Sequence, residues 1–382
     1  MSTLSGTGFS SDLIIIGAGI HGCSAALFSA LRGMSVTVIE KDSVARHASG
    51  VNAGGVRRLG RHLAELPISV RSMEIWYRIA ELVDDDCGFQ VSPQIKLALR
   101  EEQLEQMRRR VAELQALGYD HETMLTPADL LAHIPGVTDR IVGAIGSLHD
   151  GFAQPYQTTF AIHRKARSLG VRFYEGLRAE SVSRDGVGIW EVKTAQGIFR
   201  APKVLVAAGL WAGAFAESLG EAVPMSDYAP MMMVTTRLRP FCHAVVGAAG
   251  VPLSFKQMPN GTVVIGGGRP GLPDPETNRA EATFAPLRLS ARTVTSLFPI
   301  MAEASIVRAW AGLEGRMADE IPVVGASKRH PGLYYAFGFS AHGFQLGPGT
   351  GEIMAELMAT GQSPVDLAPL RIDRFGELRQ AA

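Results

Sequence analysis

Short unbroken apolar runs alternate with stretches of helical spacing along this chain. Leu13-Ile14-Ile15-Ile16 is apolar throughout and too short for a helix, the pattern of a parallel strand buried on both faces. A helical stretch continues to Leu31, Gly33 supplies its stop signal, and residues 35–39 read as the next strand, ending on Glu40. That is a βαβ opening. Val204-Leu205-Val206-Ala207-Ala208-Gly209 predicts a second buried strand running into a glycine, with a helix over 211–219 behind it. The same signal returns at Pro322-Val323-Val324-Gly325 and Leu333-Tyr334-Tyr335-Ala336.

Apolar periodicity further predicts helices over about 65–83, 101–117, 159–169, 286–297 and, last, 349–358. Thr126-Pro127 has the form of a cap and first helical position. From residue 228 to 268 the period is mostly two, broken by the turn Pro259-Asn260-Gly261, so an antiparallel sheet separate from the parallel one is expected. Rossmann-like elements at both ends enclose this other structure. The fold class is therefore α/β, with domains discontinuous in sequence.

Composition narrows the class. With 46% hydrophobic and 19% charged residues, the 382-residue chain is not a disordered one. Lys+Arg and Asp+Glu number 37 each, so no basic surplus points to nucleic acid or an acidic membrane face. Glycine supplies 42 residues, where a usage of ~7% gives about 27, and the surplus marks tight turns and close backbone approaches. Cys23, Cys87 and Cys242 offer no CxxC, no zinc spacing and no even disulfide framework, which fits a reducing, cytoplasmic compartment. The polar start carries no secretion signal, and no apolar run reaches the ~18 residues of a membrane span.

The strongest chemical signal is strand, Gly17-x-Gly19-x-x-Gly22, helix, strand, Glu40. Gly17 permits the tight turn, Gly19 lets backbone approach a pyrophosphate, and Gly22 lets helix and strand pack closely. The helix N-terminus offers free N–H groups and partial positive charge to phosphate. A carboxylate at Glu40 accepts ribose hydroxyls and repels a 2′-phosphate, which disfavours NADP. NAD or FAD is left open by this motif alone.

Further motifs separate the two. Ala48-Ser49-Gly50-Val51-Asn52-Ala53-Gly54-Gly55 resembles the loop passing the pyrophosphate and flavin ring in flavin amine oxidoreductases related to D-amino acid oxidase. Val204 to Ala212 is similar to that family's second glycine motif. Trp310-Ala311-Gly312-Leu313, with Asp319-Glu320-Ile321-Pro322-Val323-Val324-Gly325, is similar to its third. Gly338-Phe339-Ser340-Ala341-His342-Gly343-Phe344 resembles the flavin-ring loop of sarcosine oxidases. The nearest branch holds the β-subunits of heteromeric sarcosine oxidase, opine and hydroxyproline dehydrogenases, including the cyanide-forming glycine dehydrogenase.

The resemblance implies a Rossmann-like FAD-binding domain (1–82, 155–220, 311–382) and an antiparallel-sheet substrate domain (83–154, 221–310). It implies oxidation of a C–N bond in an amino acid or secondary amine of opine or imino acid type, by hydride transfer to flavin N5. The resulting imine then hydrolyses. It implies partner subunits that take the electrons; a stand-alone oxidase of sarcosine, glycine or a D-amino acid is the alternative. The FAD-binding residues it implies are Gly17, Ala18, Gly19, Ile20, His21, Gly22, Glu40, Lys41, Ala48, Ser49, Asn52, Ala53, Gly54 and Gly55. Ala208, Gly209, Trp211, Gly312, His342, Gly343, Phe344, Gln345 and Leu346 complete that set. A loop over 343–349, with Gly347-Pro348-Gly349 turning into the final helix, would aim N–H groups at charge developing on the reduced ring.

Departures from the family bear on substrate. Glu314 stands where glycine oxidase-like members carry a carboxylate-binding arginine. Facing the pocket it would favour a cationic group; otherwise it pairs with Arg316 or another base. Carboxylate binding then falls to Arg57 or Arg58, of which only one should reach the ring, because neighbours on an extended strand point opposite ways. His342 would orient the amine, bond the flavin or pack against backbone, and Tyr228 would line the pocket or the core. Gln345 replaces a lysine that helps hold the carboxylate in sarcosine oxidases. Gly312 replaces the cysteine of covalently flavinylated members, so FAD should be noncovalent. The segment carrying their oxygen-activating lysine is missing after Pro259-Asn260-Gly261, which favours an acceptor other than oxygen.

Overall fold

The computed structural model describes residues 9–376. Its centre is a six-stranded sheet in the order Arg172–Tyr174, Val36–Ile39, Leu13–Ile16, Lys203–Val206, Leu333–Phe337, Val323–Ala326. All pairs are parallel except the last. The continuous apolar run is explained by burial on both faces. Leu13 and Ile15 face a helical layer, while Ile14 and Ile16 face a smaller sheet built around Trp190, Val192 and Phe199.

The helical layer consists chiefly of Ile20–Leu31, Leu66–Tyr77, Pro155–Ser168 and Gly343–Thr360. The stretch expected as one helix over 65–83 breaks at Arg78 into Leu66–Tyr77 and Ile79–Val83. The last helix differs more from expectation. It starts at Gly343 and includes Gly347-Pro348-Gly349 within it, not as a turn before it. These glycines serve close packing. A Cβ on Gly347 would lie 2.7 Å from Ile20, one on Gly349 2.7 Å from Ser72, and one on Gly351 2.3 Å from Ser24.

An eight-stranded sheet forms the second layer system: Ile306–Ala311, Met231–Thr235, Val263–Gly266, Val251–Gln257, Val245–Ala248, Gln94–Ala98, Gly143–Ser147, Thr123–Leu125. It is antiparallel apart from one pair, Gln94–Ala98 with Val245–Ala248, which runs parallel. Pleating sends Ile95 and Leu97 into a core with Leu130, Val294 and Leu297 of the covering helices. Gln94 and Lys96 turn the other way, onto a cavity between this sheet and the parallel one. Thr126 does cap Pro127–His133, its side chain accepting the Asp129 N–H while Asp129 returns a bond.

Candidate active site

The cavity measures about 680 Å³ and runs from the glycine turn, past the loop at 48–55, to the inner face of the eight-stranded sheet. At one end Gly17 has φ +106°, and a Cβ there would sit 2.5 Å from the Ala207 carbonyl oxygen. Only glycine fits. A Cβ on Gly19 would meet Ser49 Oγ at 2.9 Å, and that hydroxyl accepts the Ile20 N–H at the start of helix Ile20–Leu31. Gly17, Ala18, Gly19, Ile20 and His21 line the cavity; Gly22 does not, and packs 2.0 Å (as a Cβ) from the Gly17 oxygen.

Glu40 ends the strand beside this turn, with Oε2 accepting Ala18 N–H at 2.7 Å and Oε1 accepting Asp42 N–H at 2.8 Å. Burial raises its pKa against those two bonds. Lys41 Nζ lies 3.6 Å from the centre of the Trp211 ring and 2.9 Å from Asp42. The His47 ring bonds the same Asp42 at 2.7 Å. From the segment between two strands of the eight-stranded sheet, Asn278 reaches back to Lys41 and Asp42, and the Trp211 indole donates to Pro275 O at 3.3 Å. A hairpin of Leu272–Asp274 and Arg279–Glu281 thus crosses to the glycine-turn end of the cavity.

Along the middle, Ala48, Asn52, Ala53, Gly54, Gly55, Ala208 and Gly209 line the wall. Asn52 organises the loop: its amide donates to Ala48 and Ser49 carbonyls and its oxygen accepts Gly54 N–H at 2.8 Å. His21 stacks on Phe339 with ring centres 3.6 Å apart, and burial drives its pKa down to about 3, so it is neutral. Gly343 and Phe344, the first residues of the last helix, also face the cavity and present that helix's free N–H groups to it.

At the far end the expected substrate residues divide. Arg57 lines the cavity, whereas Arg58 does not: its Nε bonds fully buried Asp150 at 3.2 Å. Glu314 lines the cavity too. Its Oε1 is buried without a partner, the Ala341 N–H bonds its carboxyl, and burial raises its pKa to about 7. Arg316 does not neutralise it, being paired with Glu320 and lying 5.1 Å from the Tyr228 ring. His342 lines the cavity, with Nδ1 3.1 Å from Glu65 Oε1.

Besides Gly22 and Arg58, four further expected positions point away from the cavity. Gln345 is fully buried, donating to Ser69 O and accepting from Ser69 Oγ at 3.0 Å each, because the last helix turns it toward Leu66–Tyr77. Leu346 sits in the hydrophobic core. Tyr228 hydrogen-bonds the Gly268 carbonyl from the adjoining two-stranded sheet and stays off the cavity wall. Gly312 is also off the wall; a Cβ there would come 2.3 Å from Val51, so a larger residue has no room.

Sequence reasoning missed three cations. Arg61 lines the cavity at 2% exposure, its Nε on Arg57 O, its Nη2 on His342 O, its Nη1 buried without a partner. Lys96 lines the sheet side. Lys256 is 5% exposed, 4.5 Å from the Phe152 ring, and burial lowers its pKa to about 8. Burial is the sole cause of that shift. Spacing offered a hint for Arg61, four residues beyond Arg57, but its burial depends on the distant His342 loop. Among the described residues no group of His, Cys, Asp or Glu could hold a metal, and no helix is long and apolar enough to cross a membrane.

A glycine cradle that a Cβ would fill, a helix N-terminus above it and a long cavity beyond it suit a dinucleotide carrying a planar ring. The chain belongs to the FAD dependent oxidoreductase (DAO) family, whose sequence model matches residues 12–357. It is therefore an FAD-dependent oxidoreductase. It is 25% identical over 372 residues to the β-subunit of sarcosine oxidase from an Arthrobacter species, covering 95% of this chain and 91% of that one. A component of the opine oxidase of Rhizobium meliloti is 24% identical, with 95% and 97% covered. L-Proline dehydrogenase from P. horikoshii superposes with a TM-score of 0.90 at 25% identity, covering 97% of this chain and 100% of that one. Glycine oxidase from Geobacillus kaustophilus superposes at 0.87 and 23% identity, covering 96% and 99%.

Proposed function

We propose that this protein oxidises the C–N bond of an amino acid or secondary amine of opine or imino acid type. The glycine turn and the 48–55 loop would hold FAD noncovalently, and FAD so held would supply the hydride acceptor; the imine product would then hydrolyse in water. The carrying observation is a cation and a carboxyl brought to one cavity end: Arg61 with a buried, unpartnered Nη1 and Glu314 with a buried, unpartnered Oε1. Each group is costly to bury alone, so each calls for a complementary ligand.

Arg61 and Arg57 suit the substrate carboxylate, since a guanidinium fork matches it in plane and charge. Glu314 suits a second cationic group on the substrate, an ammonium or guanidinium beyond the reacting amine. Gly343 and Phe344, at the start of the last helix, would offer N–H groups to negative charge on a reduced ring bound in the cavity. Both the sarcosine oxidase and the opine oxidase relatives are single subunits of larger enzymes, which supports a partner that receives the electrons. Three buried free cysteines support a reducing, cytoplasmic setting.

An anaerobic screen of D- and L-amino acids, N-methyl amino acids, proline derivatives and opines tests this reading. At least one should bleach the flavin, and Glu314→Gln should slow bleaching by substrates with an extra guanidinium or ammonium about 10-fold or more relative to those without. An unchanged ranking in that variant removes the cation assignment. Air reoxidation of the reduced chain as fast as its turnover contradicts the partner acceptor.

A further inference from the structure

An amino acid or secondary amine reaches the enzyme protonated on nitrogen, and in that state its nitrogen has no lone pair to support loss of hydride from the neighbouring carbon. The cavity therefore needs a proton acceptor. His342 precedes the last helix as its cap residue, on the loop beside Gly343 and Phe344. Its backbone is pinned from both sides, its N–H on Phe339 O at 2.8 Å and its carbonyl under Arg61 Nη2 at 3.2 Å. The residue lines the cavity with its side chain 19% exposed, and Nδ1 lies 3.1 Å from Glu65 Oε1.

Glu65 has no exposed surface. Its second oxygen accepts the His62 N–H, which closes a capping box and holds the carboxylate still. Although burial opposes ionisation, the bond from His342, the charge of Arg61 and the His62 N–H keep the carboxyl below its ordinary value. An ionised carboxylate only accepts hydrogen bonds, so Nδ1 must carry the proton of a neutral imidazole. The lone pair is then on Nε2. Burial together with Arg61 and Arg57 keeps the ring neutral, against the pull of Glu65. Glu314, bonded by the neighbouring Ala341 N–H, is the other titratable group at this loop.

We infer that His342, held as the Nδ1–H tautomer by Glu65, takes the proton from the substrate's ammonium nitrogen. This rests on the C–N oxidation proposed above and names its base. The N–H bond of the ammonium breaks, the Nε2–H bond forms, the electron pair stays on the substrate nitrogen, and the imidazolium is stabilised by the Glu65 carboxylate. Glu65 is a positioning residue and touches no substrate. Neither a sequence motif nor spacing joins the two, which face each other only through the packing of the 61–65 turn under the last helix.

Two measurements on the FAD-loaded chain test it. Nitrogen NMR of the 15N-histidine-labelled protein, without substrate, should show His342 protonated on Nδ1 and bare on Nε2; the reverse tautomer overturns the inference. Stopped-flow flavin reduction, with whichever amine of the panel above bleaches the flavin, should be about 100-fold slower at saturation in His342→Asn, with a half-saturating concentration little changed. Glu65→Gln keeps an oxygen and the volume; it should slow reduction about 10-fold and move the acid limb of the rate to lower pH, because removing a negative charge lowers the ring's proton affinity. A reduction rate in His342→Asn equal to that of the unsubstituted protein overturns the inference. If the variants lose FAD, the NMR result alone decides. If no amine bleaches the unsubstituted protein, C–N oxidation fails while the tautomer still reports on the pair.

Discussion

Glu314 shows how one residue ties stability to function. Its pKa is raised from 4.5 to about 7 by burial, against a bond from Ala341 N–H and the charge of Arg316. The folded chain thus keeps a proton that the unfolded chain has already released, so stability falls as pH rises from about 4.5 through about 7. The full effect is about 3 kcal/mol. Glu314→Gln should accordingly melt close to the unsubstituted protein at pH 4 and above it at pH 8 when scanned without substrate. A melting difference independent of pH contradicts the buried carboxyl. Among the arginines, the sequence foretold that only one of Arg57 and Arg58 would turn inward. Which one was hidden, since the choice is made by Asp150, a carboxylate far along the chain that accepts from the Nε and backbone N–H of Arg58 and from the Leu59 N–H.

At the level of elements, the glycine turn was legible because its strand, turn and helix are contiguous and their chemistry is local. The last helix was not. Gly347-Pro348-Gly349 has turn chemistry, but three closely packed neighbours override it: Ile20 under Gly347, Ser72 under Gly349 and Ser24 under Gly351. Trp76 Nε1 further fixes the helix by donating to Gln345 O at 2.9 Å, next to the Ser72 hydroxyl on the same carbonyl. A side chain on Gly351 must push the last helix off Ile20–Leu31, whose N-terminus lies at the glycine-turn end of the cavity. Gly351→Ala should cost about 1–3 kcal/mol of stability and weaken FAD uptake. Thermal melting and an FAD titration read both effects, and a variant with unchanged melting and uptake would show that the two helices are free to separate.

For the molecule as a whole, alternation of parallel and antiparallel patterns announced two kinds of sheet and the order of their parts. The domain division expected from sequence remains a proposal, supported by an eight-stranded sheet drawn from residues 94–147 and 231–311. The parallel pairing of Gln94–Ala98 with Val245–Ala248 was out of reach, because each segment alone reads as an ordinary half-buried strand. The hairpin carrying Asn278 back to Lys41 was hidden for the same reason: polar turn residues do not name their distant partner. Both features bring the sheet and the glycine turn together around one cavity, whose proposed substrate end rests on the chemistry of Arg61 and Glu314 and not on a motif.

Single-turnover oxidation without air tests the central claim most directly. The FAD-loaded chain, mixed anaerobically with an opine or imino acid from the screen, should lose its flavin colour while one carbonyl product appears for each flavin reduced. A chain that takes up no FAD, or one whose flavin stays oxidised with every amine offered, contradicts the account.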